Sequence, residues 1–575
     1  MTVDVNFLVG GEAGQGVQSV GAVLVRTLAS GGLHIFADQD YESRVRGGHN
    51  FFRVRVSDRE IMALHEDLDV LIALNQETID LHRRELKRGG FIIRDGEAGD
   101  KKAGDGRDFP VPLAQLAEKA AQNKLMTNTV AAGAALGLVD YDFDSLTGVL
   151  GKEFGHLGEK VVAGNVAAAR AGYDYAREKR GNRKAPRLQP VKGAPRRMLL
   201  HGNEALSLGA LAGGCRFISG YPMTPASSIL EYLATQSKKY GVVAAHVEDE
   251  IAVANMAVGA AFTGARAMVA TSGGGFALMV EALALAGITE TPVVFVLAQR
   301  PGPATGLPTR TEQGELEFAL HAGHGEFPRA VLAPATTEEA FHAAVKAFNL
   351  AEKYQTPVII LTDHHLATSY RTVTPFDLKK VQIDRGELLT DAALKKIKHY
   401  QRHRVTDSGI SPRAFPGQGK ALVVTDSDEH DAYGHMIEDA ETRIAQDLKR
   451  LRKLNGLRKE ISPPRVRKVT KAEFTLVGWG STYGAIREAA EALKEEGVGA
   501  STIHLSELYP FPAAAVAQAL AGRTRKIVVE GNATAPLGRL IRRETGIKMD
   551  DSILRFDGRP LSPRYIVERL RKEVS

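Results

Sequence analysis

The sequence predicts a multidomain protein of the α/β class, and three observations carry that expectation. Its 575 residues exceed what a single hydrophobic core serves, so three or four domains are expected. With 58 glycines, 44% apolar residues and only 6% aromatics, the composition suits alternating strands and helices, whose tight connections consume glycine. Short apolar runs bounded by turn residues alternate with stretches of helical periodicity through residues 1–180 and 198–375, and again from residue 471.

Composition also excludes classes of function. The net charge of +6 is modest for this length and comes from local clusters, so it favours anionic small ligands or an acidic protein partner over nucleic acid. Cys215 is the single cysteine. No disulfide, Cys-ligated iron-sulfur cluster or Cys-rich zinc site can be built within the chain, and a redox role requires a partner that carries the metal. There is no signal-peptide pattern, and Glu281 breaks the best candidate for a membrane-spanning run. A soluble, cytoplasmic protein is expected, with neither nucleic acid nor membrane as partner.

In chain order, residues 3–9 read as a strand and Gly10-Gly11-Glu12-Ala13-Gly14-Gln15-Gly16 as a phosphate-type loop. Val17, Val20, Gly21, Leu24 and Leu28 then recur at helical spacing until Gly31-Gly32 ends the helix. Asp38 and Asp40 follow the glycines by about twenty residues, where a dinucleotide-binding domain places its ribose-binding acid. The order G-x-x-G-x-G speaks against a nicotinamide enzyme, as does the run from Tyr41 to His49 with Arg44, Arg46 and a second glycine pair. A glycine turn without a nucleotide has the same spacing. Residues 181–197 are basic and proline-containing without apolar period, and read as a linker.

Next, Phe217-Ile218 leads into a turn and a helix start, with Thr224 as N-cap and Pro225 at the first helical position. Free backbone N–H groups and the hydroxyls of Thr224, Ser227 and Ser228 gather there, which makes an anion site or, equally, a well-capped helix without a ligand. Residues 242–247 form another strand, and Glu248-Asp249-Glu250 open an Ala-, Gly- and Val-rich helix reaching Gly264. One of these acids is a working carboxylate and the others surface, or all three only complement the helix dipole. Residues 267–270, 293–297, 330–332 and 358–361 read as parallel strands, with an amphipathic helix over 338–354. Thr362-Asp363-His364-His365 reads as hydrogen-bonded structure at a strand end and not as a metal site. Residues 376–470 are polar and irregular, read as a linker with a basic helical segment. There Leu448, Leu451 and Leu454 mark an amphipathic helix whose Lys and Arg residues face solvent or another subunit. A last α/β unit covers 471–575.

Four pieces occur together and in order: Y-P-M-T-P-A-S-S from Tyr221, V-E-D-E-I-A from Val247, A-T-S-G-G-G-F-A-L-M from Ala270 and L-A-Q-R-P-G-P-A-T-G-L-P-T-R-T-E-Q from Leu297. They resemble the alpha subunit of 2-oxoacid:ferredoxin oxidoreductases. G-E-A-G-Q-G-V from Gly11 and R-V-R-G-G from Arg44 resemble that family's gamma domain, fused in front of alpha as in the 2-oxoglutarate enzymes. The resemblance implies a gamma domain over 1–180, a transketolase-like pyrimidine-binding domain over 198–375 and a transketolase C-terminal-like domain over 471–575.

It also implies a thiamine diphosphate site shared with a beta subunit that carries Mg2+ and a [4Fe-4S] cluster, coenzyme A as substrate, ferredoxin as acceptor and a dimer of alpha-beta heterodimers. The implied reaction is the oxidative decarboxylation of a 2-oxoacid to its acyl-CoA, reversible in principle. By family position Glu250 promotes the imino tautomer of the aminopyrimidine, with Glu248 as second choice. Arg300, Thr224 and Thr309 match positions that hold the substrate, and Tyr221, Pro222 and Ser227 positions at the cofactor. A distal carboxylate needs a further cation from Arg310, a histidine or the partner. Gly11, Gly14, Gly16, Arg44 and Arg46 match the coenzyme A region, a solvated strand end or subunit salt bridge being the alternative for the arginines. D-E-H-D-A-Y-G-H from Asp428 places His430 and Asp431 at the active-site entrance, or in a plain acidic loop. Gly104-Asp105-Gly106 with Asn128 imitates the metal-diphosphate signature but follows polar residues instead of a buried strand, so it is read as an exposed turn. Rival readings are a non-redox thiamine transferase or decarboxylase, a pyruvate- or indolepyruvate-specific member of the family, and a scaffold that binds coenzyme A only.

Overall fold

The computed structural model describes residues 3–42, 47–97 and 106–574. It divides into two compact units, Met1–Leu200 with Ser369–Pro375 and Ser562–Tyr565, and His201–Thr368 with Phe376–Leu561 and Ile566–Ser575. The first unit runs β1 (Asp4–Glu12), α1 (Val17–Ser30), β2 (His34–Asp40), β3 (His49–Ser57), β4 (Leu68–Ala73), α2 (Gln76–His82), β5 (Leu86–Asp95), β6 (Asp108–Val111), α3 (Leu113–Ala121), α4 (Thr127–Leu138), α5 (Phe143–Phe154), α6 (Glu159–Arg180) and β7 (Met198–His201). Strand β1 is buried on both faces, Val5, Phe7 and Val9 entering one core and Leu8 another. It extends through Gly10 and Gly11 in register with Phe51 and Asn50, so the expected seven-residue loop contracts to the turn before α1. Backbone pairing to β3 is available that far, and glycine does not forbid it. Helices α4 and α6 touch backbone to backbone, since a Cβ on Gly133 would lie 2.0 Å from the Ala169 carbonyl oxygen and one on Gly172 2.1 Å from that of Val130.

The stretch expected as a free linker, 181–197, is packed. Leu188 is fully buried with its N–H on the Val139 carbonyl at 3.0 Å, Val191 N–H donates to Gly31 at 2.8 Å, and the Arg183 guanidinium lies 4.3 Å above the Phe91 ring. Its prolines remove donors that a folded segment would have to satisfy, so a proline-rich composition does not by itself mean an unpacked chain.

The second unit continues with α7 (Gly202–Ala212), β8 (Phe217–Gly220), α8 (Ser227–Tyr240), β9 (Val243–His246), α9 (Glu250–Phe262), β10 (Ala267–Thr271), α10 (Gly273–Ile288), β11 (Val293–Gln299), α11 (Leu316–His321), β12 (Ala330–Leu332), α12 (Thr337–Tyr354), β13 (Val358–Asp363) and α13 (His364–Thr368). The chain then supplies β14 (Tyr370–Val373), which pairs antiparallel with β2 and completes the first unit's sheet in the order β6-β5-β4-β1-β3-β2-β14-β7. The span 198–375 read as one domain is therefore interrupted: 369–375 belongs to the first unit, because 370–373 finds its backbone partners in the first sheet, and the second unit resumes at Phe376.

Beyond it come α14 (Asp391–Leu394), α15 (Ala440–Glu460), β15 (Arg465–Arg467), β16 (Phe474–Trp479), α16 (Tyr483–Glu495), β17 (Ala500–Leu505), β18 (Glu507–Tyr509), α17 (Ala513–Ala519), β19 (Arg525–Glu530), α18 (Pro536–Thr545), β20 (Asp551–Leu554) and α19 (Pro563–Val574). The second sheet, β18-β12-β13-β11-β10-β8-β9, is parallel except for β18, and its central strands are buried throughout, hence their continuous apolar runs. A third sheet, β15-β17-β16-β19-β20, carries the buried Trp479, whose Nε1–H donates to Glu530 at 2.9 Å.

Residues 376–470 are not a linker. Glu352 of α12, buried, is met by Arg266 at 2.8 Å, Arg385 at 2.5 Å and Arg413 at 2.6 Å. Glu290, between α10 and β11, is met by Lys449 and Lys453 of α15 at 2.5 Å each and by His403 at 3.0 Å. The amphipathicity expected of α15 is inverted. It buries Gln446, Lys449, Arg450, Lys453 and Leu457 and leaves Leu448 exposed, because buried carboxylates wait on the side where the lysines enter.

Candidate active site

Neighbouring strands β8 and β10 send their following helices in opposite directions, β8 toward β9 and β10 toward β11. A crevice therefore opens between their carboxyl ends, the position where open α/β sheets take ligands. On the β8 side the chain turns through residues 223–226, closed by Ala226 N–H on the Met223 carbonyl at 2.8 Å. The turn consumes Thr224 and Pro225, so α8 starts at Ser227 with Ala226 as its N-cap, and Thr224 is not the cap expected from the spacing. Asn203 of α7 fixes the turn by donating to the Pro225 carbonyl at 2.8 Å and to Ser228 Oγ at 2.9 Å. Tyr221 is half-buried against the core, Pro222 is exposed, and Ser227 is half-buried.

The three acids after β9 separate cleanly. Asp249 is the N-cap of α9, accepting from Ala252 N–H at 2.8 Å, and Glu248 is exposed. Glu250 is 5% exposed, and its Oε1 has no hydrogen-bond partner. The helix that follows β10 is built around carboxylates. A Cβ on Gly275 would lie 2.8 Å from Glu250 Oε1, and one on Gly273 1.8 Å from Glu315 Oε1. Ser272, the residue before α10, is buried with an unpartnered Oγ. Two carboxyl groups and a hydroxyl thus converge on one helix N-terminus, where backbone N–H groups favour negative charge.

Arg300 follows β11 and donates to the Thr224 carbonyl at 2.8 Å, tying the two crevice walls together. Burial pulls its guanidinium below the ordinary range, while Glu315 acts in the opposite sense. Thr309 is buried on the connecting loop, 8% exposed. That loop is pinned by Gln313, whose N–H meets the Gly531 carbonyl at 2.6 Å and whose side chain meets the Trp479 carbonyl at 3.0 Å. Gln299 then accepts from Glu315 N–H at 3.0 Å. Burial pushes the Glu315 carboxyl up to about 8, with Glu312 adding to the shift and Arg300 opposing it.

Glu315, Gln313, Gln299 and Ser272 were not singled out from sequence. Ser272, Gln299 and Gln313 lie within the quoted motifs and Glu315 two residues beyond the last of them, but only burial distinguishes them from their polar neighbours.

Other expected residues lie apart from this crevice. His430 is fully buried against His403, ring centroids 4.1 Å apart, and Asp431 closes a turn by accepting from Tyr433 and His435 N–H groups. An opening is not what His430 lines, because its ring packs inward on the Glu290 cluster. Asp363 accepts from Thr311 at 3.3 Å and Leu366 N–H at 3.0 Å. Among the described residues no group of three or more His, Cys, Asp or Glu could hold a metal ion, and no helix is long and apolar enough to cross a membrane. Cys215 is buried, its thiol pushed up to about 12 by burial, and is inert at neutral pH.

In the first unit Gly11 lies in β1, Gly14 adopts φ 93° with open space around its Cβ position, and Gly16 precedes α1 at φ 80° with its Cβ position against Asn128. Arg44 and Arg46, and Gly104-Asp105 of the decoy turn, lie outside the described residues.

Three family models match the chain. They are described as pyruvate ferredoxin/flavodoxin oxidoreductase over residues 6–175, the thiamine diphosphate-binding part of pyruvate flavodoxin/ferredoxin oxidoreductase over 208–449, and pyruvate:ferredoxin oxidoreductase core domain II over 472–566. The 2-oxoacid:ferredoxin oxidoreductase subunit alpha of a Sulfolobus species is 34% identical, the match covering 99% of this chain and 97% of that protein. This chain belongs to the 2-oxoacid:ferredoxin oxidoreductase family. The 2-oxoglutarate oxidoreductase subunit KorA of Mycobacterium tuberculosis is 30% identical over 88% of this chain and 82% of its own length. A solved structure, the 2-oxoglutarate:ferredoxin oxidoreductase of Magnetococcus marinus with 2-oxoglutarate, coenzyme A and succinyl-CoA bound, covers 100% of both chains at 32% identity and TM-score 0.92. Thr224, Glu250, Ser272, Arg300, Thr309 and Glu315 all lie inside the thiamine-binding match, and so does most of the segment expected to be a linker, 376–449.

Proposed function

We propose that this chain is the alpha subunit, with a fused gamma domain, of a thiamine diphosphate-dependent 2-oxoglutarate:ferredoxin oxidoreductase. The reaction converts 2-oxoglutarate, coenzyme A and two oxidised ferredoxins to succinyl-CoA, CO2, a proton and two reduced ferredoxins. The observation that carries the reading is the buried, unpartnered Glu250 carboxylate at the crevice between β8 and β10. Such an acceptor needs a donor from outside the chain, and a protonated ring nitrogen of an aminopyrimidine supplies one. Gly275 leaves the room that the Glu250 carboxyl itself occupies, since a Cβ there would lie 2.8 Å from its Oε1.

Glu250 would hold the pyrimidine and exchange a proton with its ring nitrogen, while Tyr221, Pro222 and Ser227 flank it from the β8 side. When bound, thiamine diphosphate supplies the carbanion that adds to the ketone and the ring that accepts the electrons left by CO2. Arg300 presents a planar fork to the substrate carboxylate, with Thr224 and Thr309 beside it. Coenzyme A phosphates suit the N–H groups of the Gly14 to Gly16 turn together with Arg44 and Arg46. Mg2+ and the [4Fe-4S] cluster belong to a beta partner, in a dimer of alpha-beta heterodimers. The preference for 2-oxoglutarate rests on the names and bound ligands of the relatives given above.

The test is to co-purify the chain with its partner, record the visible spectrum, and assay viologen reduction with coenzyme A. Cluster absorbance and a kcat/KM for 2-oxoglutarate above that for pyruvate support the reading, and a colourless complex or the reverse preference overturns it. Within it, Arg300→Lys raises the KM for the 2-oxoacid about tenfold, ~1.4 kcal/mol, because a point charge replaces a bidentate fork. Gly14→Asp raises the KM for coenzyme A by a similar factor, whereas Gly14→Asn, equally strained at φ 93° but uncharged, raises it less. Equal effects of the two variants would show that strain and not charge is at work.

A further inference from the structure

We propose that Glu315 is a further substrate-binding residue of the crevice that works as a neutral carboxylic acid: its hydroxyl donates to the carboxylate of the 2-oxoacid and leaves the Arg300 charge uncompensated for that same group. The inference rests on the function proposed above and names a residue that function does not require.

Position comes first. Glu315 Oε1 lies where a Gly273 Cβ would stand, at 1.8 Å, so the carboxyl sits on the first turn of α10, and Glu250 meets the same turn at Gly275. Its Oε2 is buried without a partner, so it has hydrogen-bonding capacity that the chain itself leaves unused. The backbone is held on both sides, by Gln313 on Gly531 and Trp479 and by Glu315 N–H on Gln299, whose own amide donates to the Thr362 carbonyl at 2.9 Å. The backbone that carries the side chain is thus fixed within the chain itself.

Protonation decides what it offers. The charged groups acting on it are Glu312 on its own loop and Arg300 after β11, and Glu250 lies at Gly275, two residues further along the same helix turn. One half-buried cation stands among three carboxyl groups. Burial and Glu312 outweigh Arg300 and push Glu315 up to about 8, so at pH 7 it carries its proton. A carboxylate in its place would pair with Arg300 and repel an anionic substrate. A carboxylic acid instead adds a second donor beside the guanidinium, the use to which a site can put a carboxyl kept neutral by burial.

The experiment uses the reconstituted complex with its partner, 2-oxoglutarate, coenzyme A and a viologen acceptor, between pH 6.5 and 9.5. Wild-type KM for 2-oxoglutarate is expected to be flat below about pH 7.5 and to rise about tenfold per unit well above the titration, with kcat moving much less. Glu315→Gln keeps the shape and a donor without a titratable proton, so its KM does not rise in the alkaline range. Glu315→Ala raises KM at pH 7 at least tenfold, and should it fail to assemble, the profile of Glu315→Gln decides alone. A Glu315→Gln profile that rises in parallel with wild type overturns the inference, as does a Glu315→Ala variant with wild-type KM. A wild-type complex that carries its cluster but does not oxidise 2-oxoglutarate is a distinct outcome, which overturns the parent reading and this one with it.

Discussion

Glu250→Gln is expected to abolish turnover of the reconstituted complex, lowering kcat by about 10²–10⁴-fold, ~3–5 kcal/mol, while assembly and thiamine diphosphate binding persist. The amide keeps the shape of a side chain that is 5% exposed and packed against Gly275, so no cavity forms and the first turn of α9 is undisturbed. What it loses, on the proposed function, is the ability to exchange a proton with the aminopyrimidine ring nitrogen, a term that enters kcat and not binding. Glu248→Gln and Asp249→Asn supply the contrast. Glu248 is exposed and should be near wild type, and Asp249→Asn still caps α9 through its amide oxygen. Near-normal turnover in Glu250→Gln, or a loss confined to Glu248→Gln, removes the assignment.

The largest effect on stability is expected from Glu290→Gln, a loss of about 3–5 kcal/mol. Glu290 is fully buried and is the anion that Lys449 and Lys453 meet at 2.5 Å, with His403 at 3.0 Å. Burial alone would push its carboxyl up, but the two ammonium groups and His403 hold it well below the usual range. One carboxylate serves two ammonium groups, so burial wins at the lysines, and Lys453 is pushed down to about 7. Removing the carboxylate leaves both amines without their anion.

A group with a depressed folded pKa contributes stability that is present above its unfolded value and lost as pH falls through the folded one. The Glu290 contribution is therefore complete above about pH 4.5 and fades only in stronger acid, and thermal melts against pH should show a shallower acid limb in Glu290→Gln than in wild type, the remainder coming from other paired carboxylates such as Glu352. A triple replacement of Glu290, Lys449 and Lys453 by apolar residues of similar volume should recover much of the loss, as buried ion clusters exchanged whole often do. Unchanged melting of Glu290→Gln would show that the cluster holds nothing together.

Much of this site was legible because its chemistry demands local patterns. The strand ends, the glycine run at 273–275 and the shortlist of three acids all follow from turn chemistry and dipoles read over a few residues. The choice among Glu248, Asp249 and Glu250 was not local. It came from family position, by periodicity all three being first-turn acids, and in the structure Glu250 alone of the three is buried, against Gly275 of α10. Thr224 was misread as a cap because the 223–226 turn closes ahead of the helix, and the grip of Asn203 on that turn is a long-range fact.

By itself the sequence determined the α/β class, the apolar strands of the second sheet and the absence of a cysteine-ligated cluster within the chain, because each depends on composition or on the spacing of neighbouring residues, whereas the order of the modules came from the family resemblance. Tertiary structure alone decided that 181–197 and 376–470 are packed, that the lysine face of α15 points inward, and that Glu315 joins Glu250 on one helix turn. The physical reason is that a charged residue is solvated by default in any local reading, and only a partner far along the chain, Glu290 for Lys453 or Glu352 for Arg413, offsets the cost of burying it.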